Sequence, residues 1–217
     1  MNQDAASLAL DYAGSLFLDE AQQGKYLKRW EHTLRVAAVG RKIARAEGLN
    51  TEAMTIACLL HDIGYLECRT DEDCDHHGAI SARMARRFLE IVGYGADLTE
   101  QICYGILIHT EEEKEFPRPA SAFELSVADA DNIDRFDAWR MASILEQDKF
   151  SEQAPQRIIV AAERRIGLYT GYKSVRVGTP TARMLWDRCL DMQICFYQRL
   201  RAQMEITAAG QRISNTP

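Results

Sequence analysis

The sequence predicts an all-α protein folded as a single domain, and three observations carry that prediction. Apolar residues recur at three- and four-residue spacing along most of the 217-residue chain, which is the periodicity of amphipathic helices. Runs rich in Val, Ile and Thr with period-two alternation, the mark of half-buried strands, are missing. Proline, the strongest helix breaker, occurs only five times. With 47% apolar and 27% charged residues, the chain has an ordinary globular composition and is long enough to bury a full core without disulfide or metal staples.

Composition also excludes several classes of function. A net charge of −6 argues against a broad nucleic-acid footprint, which needs a basic surface. No run of about 18 apolar residues exists that could span a bilayer. The start of the chain, Met1-Asn2-Gln3-Asp4, lacks the basic region of a secretory signal. Six cysteines are too sparse for a disulfide scaffold. Cys58 and Cys103 fall inside apolar helical patterns, and Cys68 and Cys74 form no C-x-x-C pair that would mark a zinc site. Reduced thiols and a cytoplasmic address are expected.

The helices follow in order. A short amphipathic helix spans about Ser7 to Leu18. A longer one runs from about Lys25 to Glu47 and stops at Gly48, with His32, Val36, Val39 and Ile43 on one stripe. Asn50 or Thr51 then caps a buried helix in which Met54, Ala57, Leu60 and His61 share a face. His61 and Asp62 close that helix, and Gly64 follows as its stop. The acidic run Leu66 to Asp75 reads as a solvated loop.

From His76-His77-Gly78 a further helix carries His77, Ser81, Met84, Ala85 and Phe88 on its apolar side, and Gly93 and Gly95 end it. Asp97 with Glu100 resembles a capping box. The helix it opens aligns Leu98, Ile102, Ile106 and His109. A charged connection, Glu111 to Pro119, leads to a second box, Ser121 with Glu124. Beyond it, Leu125, Val127 and Ala128 face inward and Asp131 lies one turn on. Helices are expected over about Pro155 to Leu168 and Pro180 to Met204, the latter capped by Thr179 with Pro180 at its first position. Gly167 to Gly178 is the expected mobile or partner-facing loop, and the polar tail from Ala208 is expected to be disordered.

Chemistry is concentrated in the histidines. Of five in the chain, His32, His61, His77 and His109 sit on or at the end of apolar stripes of different helices. Buried imidazoles and carboxylates packed together would desolvate one another at several kcal/mol. A divalent cation resolves the conflict, because neutral imidazole and ionised carboxylate are both satisfied as ligands. His32, His61, Asp62, His77, His109 and Asp131 are therefore the candidate metal ligands. Imidazole and carboxylate without thiolate suit Mn, Fe, Co, Ni or Zn, with Mg a further candidate. Six ligands exceed the needs of one tetrahedral ion and would serve two ions about 3.5–4 Å apart, bridged by Asp62 and a hydroxide. His61 and Asp62 are then the catalytic doublet, and the bound hydroxide would attack phosphorus. Lys28, Arg29 and Arg35 flank His32. Arg35, best placed by helical spacing, and Lys28 are the expected substrate-binding cations.

This order of residues resembles the HD superfamily of metal-dependent phosphohydrolases, in particular its small stand-alone bacterial members. The resemblance rests on His32 in W-E-H-T-L-R-V, the doublet in L-L-H-D-I-G-Y, His77 in H-H-G-A-I-S-A, His109 in I-L-I-H-T and Asp131 in A-D-A-D-N-I-D. It spans about residues 25 to 140, with a weaker likeness through T-P-T-A-R-M-L-W. It implies an all-α HD-like bundle in which His32, His61, Asp62 and Asp131 are core ligands and His77 and His109 complete a second metal position. It favours His77 over His76, and Asp131 over Asp129. Tyr65 stands where many members carry a lysine. The layout that follows is an N-terminal helix (1–24), the HD core (25–140), C-terminal helices packing on it (141–207) and a disordered tail (208–217).

The implied activity is hydrolysis of a small phosphorylated metabolite, a nucleotide or a related compound, with self-association left open. Two other readings share the ligand order: an HD-fold diiron oxygenase, and a non-catalytic module that binds a nucleotide as a signal. Residues in the loops 66–75, 111–119 and 167–178 would shape the pocket walls.

Overall fold

The computed structural model describes residues 4–22, 24–110 and 118–214, and among them every regular element is helical. In order these are α1 (Ala5–Phe17), α2 (Leu27–Glu47), α3 (Thr51–Leu60), α4 (Asp71–Asp75), α5 (His77–Ile91), α6 (Ala96–Ile108), α7 (Ala122–Arg135), α8 (Ala138–Gln147), α9 (Pro155–Tyr172) and α10 (Pro180–Ser214). No helix of the described residues is long and apolar enough to cross a membrane. Packing divides the chain into two compact units. The first holds the described residues to Asp134 with Val177–Arg183; the second holds Arg135–Arg176 and the remainder of α10.

The first unit is organised on α3. Asn50 caps this helix by accepting from the Ala53 N–H at 3.0 Å, and the run Ala53, Met54, Ile56, Ala57, Cys58, Leu59, Leu60 is buried on all sides. It packs against α1, α2, α5 and α6. Helix α2 ends where Gly48 adopts φ 67°, a left-handed conformation that glycine takes without strain. Helix α7 opens with the expected reciprocal box: Ser121 N–H donates to Glu124 Oε2 at 2.7 Å, and Glu124 N–H to Ser121 Oγ at 3.3 Å.

Between α3 and α5 the chain makes a tight 3-10 turn, Ile63–Leu66. Gly64 lies so close to the start of α5 that a Cβ on it would stand 2.5 Å from the His77 carbonyl oxygen and 2.7 Å from Ser81 N. Its own N–H donates to Ser81 Oγ at 2.9 Å. Glycine here sets the distance between the His61-Asp62 doublet and His77.

Several elements differ from the sequence expectation. Asp97 and Glu100 form no capping box: α6 begins at Ala96 with no side-chain cap. Starting two residues early puts Asp97 inside the first turn, where its charge suits the helix dipole, and Glu100 pairs with Arg86 at 2.5 Å. The acidic stretch after Leu66 includes the short helix α4. Helix α9 continues past Leu168 to Tyr172 because Tyr169 is buried, which shortens the expected 167–178 loop to residues 173–179. Helix α10 runs to Ser214 rather than stopping near Met204. The extension has no proline, and Ala208 within it is buried, so the disordered tail is corrected to helix up to that residue. The stretch Glu111–Pro117 lies outside the described residues, as do 215–217.

At its start α10 belongs to the first unit. Thr179 Oγ1 accepts from Ala182 N–H at 3.1 Å, Glu47 accepts from Thr181 N–H at 2.7 Å, and Asp129 accepts from Gly178 N–H at 2.8 Å. In the second unit, the Phe136 ring sits among Trp186, Tyr172 and Tyr169 at 5.0, 5.3 and 6.0 Å, edge-to-face geometries that aromatic rings favour. Gln193 donates to the Phe136 carbonyl at 2.9 Å.

Replacing Gly64 tests the close approach directly. Gly64→Ala forces backbone apart rather than a flexible side chain, so a loss of about 1–3 kcal/mol in unfolding free energy is expected, read as a lower denaturant midpoint. Unchanged stability would show that the turn can shift without cost.

Candidate metal centre

Each predicted ligand occupies the end of a helix or faces the core. His61 is the C-cap of α3 and His109 the C-cap of α6; His77 opens α5; His32 lies on α2 and Asp131 on α7. These positions settle the imidazole tautomers. His61 Nδ1 lies 2.7 Å from the Cys58 carbonyl, His109 Nδ1 2.5 Å from the Ile106 carbonyl and His77 Nδ1 2.7 Å from the Cys74 carbonyl. A carbonyl only accepts, so each Nδ1 carries the proton and donates. The fourth ring does the same toward a carboxylate: His32 Nδ1 is 2.7 Å from Asp134 Oδ2. All four Nε2 atoms are left to face one another.

What they converge on is Asp62. Its Oδ1 lies 3.0 Å from His77 Nε2 and 3.6 Å from His109 Nε2. Its Oδ2 lies 3.8 Å from His32 Nε2 and 3.5 Å from His61 Nε2. Asp131 Oδ1 closes the second side, 3.0 Å from His32 Nε2 and 3.9 Å from His61 Nε2. Two groups of ligand atoms result, His32–His61–Asp62 and Asp62–His77–His109, with Asp62 common to both. Metal–ligand bonds of about 2.1 Å give ligand–ligand edges of roughly 3.0–3.4 Å, and the observed separations fall at or just beyond that range.

Two further observations fit a cation. His61 Nε2 is fully buried and has no hydrogen-bond partner, a state that costs about 1–3 kcal/mol unless something accepts its lone pair. His77 and His109 bring their Nε2 atoms to 3.2 Å, where two neutral rings protonated at Nδ1 would set lone pair against lone pair. A divalent ion in each group satisfies both, and nitrogen–oxygen donor sets without thiolate accept such ions. The residues present therefore fit a divalent metal.

Electrostatics follow from burial and crowding. Burial pulls His61 down to about 4 against the attraction of Asp62. Burial works in the same direction on His32, yet hydrogen bonds to Asp131 and Asp134 raise that ring to about 9. Desolvation would raise Asp62, but His61, His109, His77 and Arg29 hold its carboxyl well below the usual range. Asp131 is lowered in the same way, chiefly by His32 against its burial.

The remaining candidates are placed as follows. His76 is exposed, and His77 is the member of the pair that enters the cluster. Asp129 is buried away from it against Gly178, its carboxyl pushed up to about 6 by burial. Lys28 is exposed. Arg35 does not face the Nε2 atoms: its Nε and Nη2 donate to Asp134 at 2.7 and 3.1 Å, on the Nδ1 side of His32. It braces the residue that orients a ligand. Asp134 itself went unassigned from sequence, although it sits one turn beyond Asp131 on the same helix. Arg29, whose Nη1 donates to Asp62 Oδ2 at 2.5 Å, is the cation that touches the doublet.

Comparison with known proteins identifies the family. A family model described as HD domain matches residues 29–139, more than half of the chain. A deoxyguanosinetriphosphate triphosphohydrolase-like protein of Clostridium tetani is 32% identical over 94 residues, covering 39% of this chain and 27% of that protein. The chain thus spans little more than a quarter of that relative's length. Among solved structures, a predicted HD superfamily hydrolase from an uncultured Thermotogales bacterium superposes with a TM-score of 0.63 at 21% identity, over 91% of each chain. That match is one of fold.

Two measurements test the centre. His32 must shed its Nε2 proton to ligate, so metal binding at pH 7 is expected to release at least about one proton. Affinity rises with pH and levels off above about 9, as read by calorimetry in buffers of different ionisation enthalpy; a pH-independent affinity would exclude His32 as a ligand. Asp134→Ala, which leaves every candidate ligand in place, is expected to weaken metal binding about 10- to 100-fold.

Proposed function

The chain belongs to the HD-domain family, and from that premise we propose that it is a metal-dependent hydrolase of a small phosphorylated metabolite, with nucleotides as the first substrate class to test. The observation that carries this reading is the sharing of one carboxylate, Asp62, between two imidazole groups. Such an arrangement would hold two positive charges side by side, which suits a phosphoryl group whose negative charge grows during transfer. The partial likeness to a triphosphohydrolase-like protein supports a nucleoside phosphate over other esters.

In this reading His32, His61, Asp62 and Asp131 hold one ion, and Asp62, His77 and His109 a second. The ions would be Mn, Fe, Co, Ni, Zn or Mg. A divalent ion supplies Lewis-acid polarisation of a phosphoryl oxygen and lowers the pKa of a coordinated water. The chain's own residues do the rest. The carbonyls of Cys58, Cys74 and Ile106 keep three rings in the Nδ1–H tautomer. Asp134, gripped by Arg35, does so for His32. Asp62, at 3% exposure, stays ionised as the member common to both groups.

The test is phosphate release from a panel of nucleoside mono-, di- and triphosphates and sugar phosphates, with protein loaded separately with Mn, Co, Ni, Fe, Zn and Mg. Turnover with redox-inert metals separates hydrolysis from oxygen chemistry. Asp62→Asn is expected to lower the rate by roughly 10²–10⁴, the equivalent of several kcal/mol of charge stabilisation. Silence of the wild-type protein across the panel would overturn the hydrolase reading.

A further inference from the structure

We infer that Arg29 is the phosphate-binding residue of this site, held on Asp62 until an ion takes that oxygen and kept at the site by its stack on Tyr65. The inference rests on the metal-dependent hydrolase reading above. Three contacts define the residue. Its Nη1 donates to Asp62 Oδ2 at 2.5 Å, and Oδ2 is the same oxygen that faces His32 and His61. Its guanidinium carbon lies 3.4 Å from the centre of the Tyr65 ring. The Tyr65 ring in turn lies 4.0 Å from that of His77, tilted by 32°. Arg29 thus rests on a platform that belongs to one imidazole group while it bonds the oxygen that belongs to the other.

The competition for Oδ2 has a clear winner. A divalent ion in the His32–His61–Asp62 group would carry twice the charge of a guanidinium and repel it, so the Arg29 bond to Asp62 would give way. The stack on Tyr65 does not depend on that oxygen. A guanidinium over an aromatic face is worth about 0.5–2 kcal/mol, and Tyr65 is itself held by Tyr26 Oη, which donates to its carbonyl at 3.3 Å. The Arg29 side chain is 32% exposed where that of Asp62 is 4% exposed, so the released donors face the open side of the site. A planar fork of N–H groups beside two imidazole–carboxylate groups matches two oxygens of a phosphate. Of the three cations flanking His32, Lys28 is exposed and Arg35 is committed to Asp134.

Calorimetry on the full chain separates the possibilities, using Mn²⁺ alone and then inorganic phosphate added to the Mn²⁺-loaded protein. Arg29→Ala is expected to bind Mn²⁺ at least as tightly as wild type and phosphate about tenfold more weakly, as for the loss of one charged hydrogen bond. Arg29→Lys, which keeps the charge and loses the fork, should fall between. Tyr65→Ala should weaken phosphate binding with Mn²⁺ affinity unchanged, and Tyr65→Phe should match wild type. Weaker Mn²⁺ binding in Arg29→Ala would assign the residue to aiming Asp62 and overturn the inference, as would unchanged phosphate affinity in that variant. A wild-type protein that binds no Mn²⁺ or other divalent ion would instead remove the metal reading beneath it, an outcome read before any phosphate is added.

Discussion

The structure depends on one recurring interaction: an imidazole Nδ1–H donating to an acceptor supplied by its own neighbourhood. Three of the four acceptors are carbonyls three residues back in the chain, at Cys58, Cys74 and Ile106. Carbonyls near helix ends lack the N–H partner that the next turn would provide, so a histidine placed there finds its acceptor ready made. Once Nδ1 is fixed, Nε2 has nowhere to point but inward. The fold's remaining task is to bring the ends of α3 and α6, the start of α5 and the flanks of α2 and α7 to one place, which the burial of α3 on all sides achieves.

That arrangement is bought with local stability. His61 is kept neutral and unpaired at Nε2 in a fully buried position, and Asp62 and Asp131 are ionised with little water around them. The same crowding compensates in part, since His32 is held as an imidazolium between Asp131 and Asp134. Buried charge of alternating sign is tolerated where isolated charge would not be. The apolar packing of α3 against four neighbouring helices supplies the surplus that lets such a cluster persist.

Much of this was legible in the sequence. Histidines on apolar stripes marked the cluster, and the A-D-N-I-D context separated Asp131 from Asp129. Helix content was legible too, because period and capping are local properties; the Asn50, Ser121 and Thr179 caps form as read. What was not legible needed three dimensions. Arg35 has the helical phase of a site residue, but which carboxylate it meets depends on how α2 crosses α7. Arg29 and Tyr65 are 36 positions apart in sequence, and no periodicity pairs them. Asp97 and Glu100 have the spacing of a box, yet a two-residue shift in the helix start removes it. The end of α10 was misjudged because a polar stretch reads as tail unless one buried residue, Ala208, is known to be covered.

The Asp134 contacts also bear on how the molecule reaches this state. His32 and Arg35 meet that carboxylate across sequence separations of 102 and 99 residues, whereas the histidine-to-carbonyl bonds each close over three. Local bonds form on the timescale of helix growth, and long-range ones wait for chain closure. Folding therefore presets the individual rings early and completes the cluster late, when α7 docks against α2. The centre is a terminal event in assembly, and its appearance reports that the first unit has finished folding.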